Sequence, residues 1–342
     1  MRLLNVSTRE LHEFFNDPPP YAILSHTWGK EEVTFEDLGE PKHTLKLGYK
    51  IGRPKYTSKL GYKKIDGCCK RAQLSNFEWV WIDTCCIDKS SSAELSETIN
   101  SMFAWYQRSS ICYIYLEDVP PADSSDHKAQ GSAFRSSRWF TRGWTLQELL
   151  ASKRRQIFDS TWQRIYLDSD ARPNHHGPVI GPASPPSENE DILLSEITGI
   201  PKQCLRGNNS EPFDDTVSRT PLSKFSVSER MSWASRRSTT RVEDMAYCLL
   251  GIFEVNMPLL YGEGGRAFFR LQEEIIRKTP DETIFCWDHG HCQENSKGKP
   301  TAALALSPAE FTNGGELYES STAANSTMFV AQRSLLSWFP KS

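Results

Sequence analysis

A tryptophan and a glutamate four residues apart, Trp144 and Glu148, stand out in the stretch 137–150. On a helix beginning near Gly143 they share one face, and Leu146, Leu149 and Leu150 form the opposite, core-directed arc. A carboxylate beside a bulky indole suggests the wall of a cleft. The same spacing also fits an exposed glutamate with the indole lying over its neighbours. Further chemistry-bearing residues follow short apolar runs: Ser25-His26-Thr27-Trp28-Gly29 after the first, Asp83-Thr84-Cys85-Cys86 after the second, and Glu117-Asp118 after the third. Ordinary loop polarity accounts for the acidic pair. It accounts less well for Ser25, His26 and Trp28 in immediate succession.

The elements that must position these groups are legible as apolar runs. Tyr21-Ala22-Ile23-Leu24, Trp79-Val80-Trp81-Ile82 and Ile111-Cys112-Tyr113-Ile114-Tyr115-Leu116 are continuous rather than alternating, as in strands buried on both faces. Helical patterns at 63–74 and 94–108 separate them, the second with Leu95, Ile99, Met102, Phe103 and Tyr106 at helical spacing. Ser91 and Glu94 fit a reciprocal capping box at its start. The alternation predicts an α/β domain with a parallel sheet and right-handed crossovers. In such sheets ligands bind beyond the carboxyl ends of the strands. Ser25, His26, Trp28 and Asp83 therefore fall at that edge, with the helix of Trp144 and Glu148 following the third strand.

The rest of the chain divides by composition. Leu47-Gly48-Tyr49-Lys50 recurs as Leu60-Gly61-Tyr62-Lys63, so the 46–63 region reads as an insertion in the first crossover. The 166–191 region carries Pro173, Pro178, Pro182, Pro185 and Pro186 and reads as a linker. Residues 192–287 read as a smaller helical region. In it Thr240 and Glu243 suggest a second capping box, and Val242, Met245, Ala246, Leu249 and Leu250 an apolar face ended by Gly251. A last helix places Phe268, Leu271 and Ile275 together. Residues 288–342 show little pattern.

Composition excludes several classes of function. A net charge of −3 argues against a nucleic-acid surface, and no apolar run approaches the roughly 18 residues of a membrane span. No secretory leader is evident, and the expected location is the cytoplasm. The nine cysteines include the vicinal pairs Cys68-Cys69 and Cys85-Cys86, which read as small buried hydrophobes in a reducing compartment, with a redox pair as the alternative. Cys286, His289, His291 and Cys292 fit no standard zinc spacing, so no metal site is expected. No phosphate-binding glycine loop is present. Gly262-Glu263-Gly264-Gly265 reads as a turn leading into a helix.

Residues 21–29, 81–88 and 137–150 resemble, in order, three blocks of the fungal heterokaryon-incompatibility (HET) domain. The resemblance assigns 1–165 to that domain, with its core at about 21–150. Residues 230–234, 240–252 and 257–264 resemble the helical segment that commonly follows it. The family acts in fungal non-self recognition, where the domain triggers programmed cell death. HET domains are in turn similar to TIR (Toll/interleukin-receptor) domains, some of which cleave NAD through a glutamate on the helix after the third strand. Trp144-Thr145-Leu146-Gln147-Glu148-Leu149 matches that context, with Thr145 in place of a cysteine.

The resemblance implies a TIR-like parallel sheet flanked by helices, followed by a smaller helical region. It implies Glu148 as the catalytic carboxylate, Ser25, His26, Trp28, Asp83 and Trp144 around the ligand, NAD as the substrate and no required cofactor. It also implies self-association or pairing with another incompatibility protein. The competing expectation is a scaffold without chemistry that acts by oligomerising and recruiting partners.

Overall fold

The computed structural model describes residues 1–39, 54–121, 127–166, 188–206, 220–287 and 303–314. It divides into two units, Met1–Arg219 and Thr220–Ser342. In the first unit the three apolar runs become β3 (Tyr21–His26), β4 (Trp79–Trp81) and β5 (Ile111–Tyr115). β3 pairs in parallel with both others, Ile23 opposite Trp81 on one side and Cys112 on the other. Every residue of β3 and β5 is buried, which explains why neither run alternates.

Three more strands complete a six-stranded sheet of order β2-β1-β4-β3-β5-β6. β1 (Arg2–Asn5) and β2 (Leu11–Glu13) form an antiparallel hairpin, and β1 runs antiparallel to β4. The sheet is therefore mixed, though mostly parallel. β6 (Arg155–Phe158) is parallel to β5. Its buried Arg155 donates to Glu190 at 2.9 Å and to the Leu205 carbonyl at 2.6 Å, and it pairs with Asp191. These contacts tie α5 (Glu188–Thr198) and α6 (Lys202–Leu205) to the sheet unit.

The crossovers fix the faces. From β3 the chain passes through the short α1 (Phe35–Gly39) and α2 (Tyr62–Leu74) to β4, then returns past β3 through α3 (Ser92–Arg108) to β5. Right-handed crossovers in opposite directions place α2 and α3 on opposite faces. The strand order thus reverses between β3 and β5, the kind of switch point where α/β sheets bind ligands. α3 packs against α4 (Trp144–Ala151), which follows β5. The other face holds Trp162, stacked on Tyr115 with centroids 4.7 Å apart, against Gly67 of α2. A Cβ at Gly67 would fall 2.1 Å from the Trp162 indole nitrogen, so only glycine admits the ring.

Local signals were met unevenly. Ser91 caps α3 as expected, accepting from the Glu94 amide at 3.3 Å. The Glu94 carboxylate instead accepts from the Asp88 amide at 2.9 Å and pairs with Arg2. In the second unit the expected 240–250 helix is two short pieces, α8 (Asp244–Tyr247) and α9 (Leu250–Phe253), after α7 (Val227–Ser232). Gly251 lies inside α9, which ends at Glu254 in a left-handed conformation, and Val242 is exposed. The Glu243 carboxylate closes no capping box; it accepts from the Gly262 and Gly264 amides at 2.8 and 3.0 Å. α10 (Arg266–Lys278) buries Phe268, Leu271 and Ile275 as expected.

Among the described residues no helix is long and apolar enough to cross a membrane. Most of the 166–191 and 288–342 stretches, and the first copy of the Leu-Gly-Tyr-Lys repeat, lie outside the described residues.

Candidate functional site

The carboxyl end of β3 carries Ser25 and His26, and strand alternation sends them to opposite faces. Ser25 is fully buried toward α4. Its hydroxyl donates to Glu148 Oε2 and accepts the Trp139 indole N–H at 2.8 Å. Trp139 lies in the short 3-10 turn Arg138–Thr141 that leads into α4. Thr145 pins this turn to the helix, its one hydroxyl proton shared between the carbonyls of Trp139 at 2.5 Å and Arg142 at 2.9 Å. Thr145 thus has a structural task.

Glu148 is 6% exposed. Burial pushes its carboxyl up to about 8, and the neighbouring charge of Asp83 adds to the rise. The hydrogen bond from Ser25, the nearby Tyr106 hydroxyl and the charge of Arg142 act in the other direction. The Tyr106 hydroxyl donates its proton to the Leu24 carbonyl at 2.9 Å, so α3 braces the same strand end. At neutral pH the resting carboxyl is therefore mostly protonated.

A second group continues from His26 along the strand ends. Trp28 donates its indole N–H to Asp83 Oδ2 at 2.7 Å, and Asp83 Oδ1 lies 3.7 Å from His26 Nδ1. The His26 side chain is almost wholly enclosed. Burial lowers its pKa, against the raising influence of Asp83 and Glu32. Trp28 is 43% exposed, and the Lys89 ammonium sits over its ring, 3.5 Å from the centroid. Below them the buried Lys64 of α2 donates to the Thr27 carbonyl at 3.0 Å and pairs with Glu32 and Glu117. Glu32 in turn accepts from the Gly29 amide at 2.6 Å. Ser25, Thr27, Trp28 and Gly29 are thereby each held by a hydrogen bond to a different residue, and His26 lies beside Asp83 without one.

The structure therefore joins Ser25 to Glu148 directly, and Trp28 and His26 to Asp83. Asp83 links the two groups through its charge. Trp144 is half-buried and, among the described residues, shares none of these hydrogen bonds or ring contacts. α4 is buried from Thr145 through Ala151, so the two faces drawn from its sequence do not separate core from cleft. Trp139 and Tyr106 were not singled out as site residues by the sequence. Trp139 precedes the helix and Tyr106 lies on another one, so neither stands at helical spacing from Glu148.

Other candidates resolve simply. Cys68, Cys69, Cys85, Cys86 and Cys112 are free and buried. Burial pushes the Cys69 and Cys112 thiols up to about 12, and Cys85, hydrogen-bonded to Cys86, is also raised. Thiols so held are poor nucleophiles, which disfavours a redox pair. Among the described residues no cluster of metal-ligating side chains occurs. His289, His291 and Cys292 lie outside the described residues. The Gly262 and Gly264 amides are taken by Glu243, leaving that turn no anion cradle.

Comparison with known proteins adds a family context. A profile described as "Heterokaryon incompatibility protein (HET)" matches residues 21–130, which include Ser25, His26, Trp28 and Asp83 and stop before Glu148. A second, a domain of unknown function (DUF8212), matches residues 266–336. Over 263 residues, 75% of this chain, the sequence is 44% identical to the "Vegetative incompatibility protein HET-E-1" of Podospora anserina. The chain spans 16% of the length of that relative. No solved structure gives a significant match.

Proposed function

The chain carries a HET domain, and from that premise we propose that it is a fungal incompatibility effector that triggers cell death by hydrolysing NAD at Glu148. The observation that carries the reading is the buried Glu148 carboxyl, bonded to Ser25 at the switch point of the sheet. Breaking the bond between nicotinamide and ribose builds positive charge on the sugar, as glycoside hydrolysis does. A carboxylate fixed beside the ribose stabilises that charge, and its low-dielectric setting strengthens the effect. The electron pair of the broken bond leaves with nicotinamide. Water then adds to the sugar carbon and releases a proton.

Ser25 and Trp139 hold the Glu148 side chain in one orientation, and Trp28 offers a flat face for the leaving ring. Ionisation of Glu148 has to accompany binding, because its resting form is protonated; a cationic ring beside it favours the carboxylate. TIR-like similarity extends the reading to assembly, in which neighbouring copies or another incompatibility protein complete the cleft.

The second reading, a scaffold without chemistry, is favoured by the burial of Glu148, which suits a structural brace as well. Expression of wild type and Glu148→Gln in a yeast host, with NAD content and viability followed together, separates the two. The enzyme reading expects NAD to fall before viability in the wild type alone. Killing with NAD unchanged supports the scaffold.

A further inference from the structure

We propose that the face of Trp28 is the docking place of a planar aromatic cation of the pyridinium class, and that Lys89 occupies it until such a ligand arrives. The proposal rests on the NAD reading only for the identity of the ring as nicotinamide.

Three observations carry it. The first is that the place already binds a cation: the Lys89 ammonium stands 3.5 Å from the Trp28 ring centroid. The second is that the ring is held ready. Its N–H is bonded to Asp83 at 2.7 Å, which fixes the plane while leaving the side chain 43% exposed. A solvent-exposed indole anchored at its edge by a carboxylate presents both a π face and a negative charge to whatever lies on it. Lys89 is held there by the ring and by the charges of Asp83 and Glu32, and an arriving cation would take over both attractions.

The third observation is a set of polar atoms that make no hydrogen bond, although Asp83 Oδ1 and His26 Nδ1 lie 3.7 Å apart. Asp83 Oδ1 and both His26 ring nitrogens are buried and, among the described residues, have no hydrogen-bond partner. Buried polar groups are rarely left so, and an unsatisfied set beside a prepared ring points to a ligand that completes it. A neutral imidazole offers one donor and Asp83 Oδ1 one acceptor. A carboxamide carries the complementary pair, an amine that donates and a carbonyl that accepts. A pyridinium bearing a carboxamide thus matches the charge, the flatness and the hydrogen-bonding complement. The chemistry beyond this subsite lies close by, since the charge of Asp83 is felt at Glu148.

The test uses the full chain labelled with 15N. The indole N–H resonance of Trp28 is identified as the one missing in Trp28→Leu, and the protein is titrated with the 1-methylnicotinamide cation, neutral nicotinamide and tetramethylammonium. The cation is expected to shift the Trp28 resonance at lower concentration than either comparison compound. Lys89→Met, which vacates the face and removes a repelling charge, is expected to tighten it about three- to ten-fold. Lys89→Arg, which keeps a cation there, is expected to bring no such gain.

Equal response to neutral nicotinamide overturns the proposal, as does equal response to tetramethylammonium or unchanged affinity in Lys89→Met. Glu148→Gln separates this inference from the NAD reading, because it leaves the Trp28 face intact. A pyridinium response in a protein that hydrolyses no NAD ends the enzyme reading and leaves the subsite standing. Hydrolysis without any Trp28 response does the reverse.

Discussion

Replacing Glu148 by glutamine should change how stability depends on pH, and the size of the change follows from the site. A free glutamate titrates near 4.5 and Glu148 in the fold near 8, because burial and Asp83 both penalise its charge. The folded state thus holds this proton more tightly than the unfolded chain. Below about pH 4.5 both states are protonated and the group makes no difference. As pH rises toward 8 the unfolded chain has lost its proton and the folded one has not, so stability falls, by about 1.4 kcal/mol per unit. Over the whole interval this gives roughly 4 to 5 kcal/mol as an upper bound, since water entry or relaxation would reduce it.

Glutamine keeps the shape of the side chain and cannot ionise. The lowered pKa of His26 contributes the opposite slope in both proteins, so it cancels in their difference. Urea unfolding of wild type and Glu148→Gln from about pH 5 to pH 8 measures that difference. It should swing toward the variant by on the order of 1 kcal/mol per unit. A flat difference would mean that Glu148 is ionised or hydrated in the fold, and would remove the physical basis for its assignment.

Three further outcomes are expected. Gly67→Ala pushes a Cβ to 2.1 Å from the Trp162 indole nitrogen and should cost about 1–3 kcal/mol, read as a lowered melting temperature. Arg155→Ala leaves the Glu190 and Asp191 carboxyls buried together and should cost about 3–5 kcal/mol by urea unfolding, with much of the loss restored on changing both acids to glutamine and asparagine. Forced dimerisation through a fused inducible domain should raise toxicity in a yeast host, and Glu148→Ala should abolish the rise; equal toxicity in that variant would favour the scaffold.

The sequence reveals the sheet wherever burial on both faces writes a continuous apolar run, as in β3, β4 and β5. It hides β6, because Arg155 is buried through carboxylates that arrive more than thirty residues later in the chain, and Gln156 beside it is polar as well. It hides β1 and β2 because both are short and β2 is largely exposed at the sheet edge. Glu148 was legible by type and context, but its surroundings were not. A helical wheel assumes one wet face, and α4 has none between Thr145 and Ala151. The indole that touches Ser25 belongs to Trp139, in the turn ahead of α4 and off its wheel, and only the fold brings it there.

If Glu148 makes this chain an NAD-cleaving enzyme, the decisive measurement is nicotinamide release by the purified full chain. Wild type is to be compared with Glu148→Gln at high protein concentration, with NAD consumed and nicotinamide formed both quantified by chromatography. Catalysis at Glu148 requires one nicotinamide for each NAD lost in the wild type, and a loss of activity of about 100-fold or more in the variant. Release that is equal in the two proteins, or absent from the wild type even when it is held as a dimer, is incompatible with it.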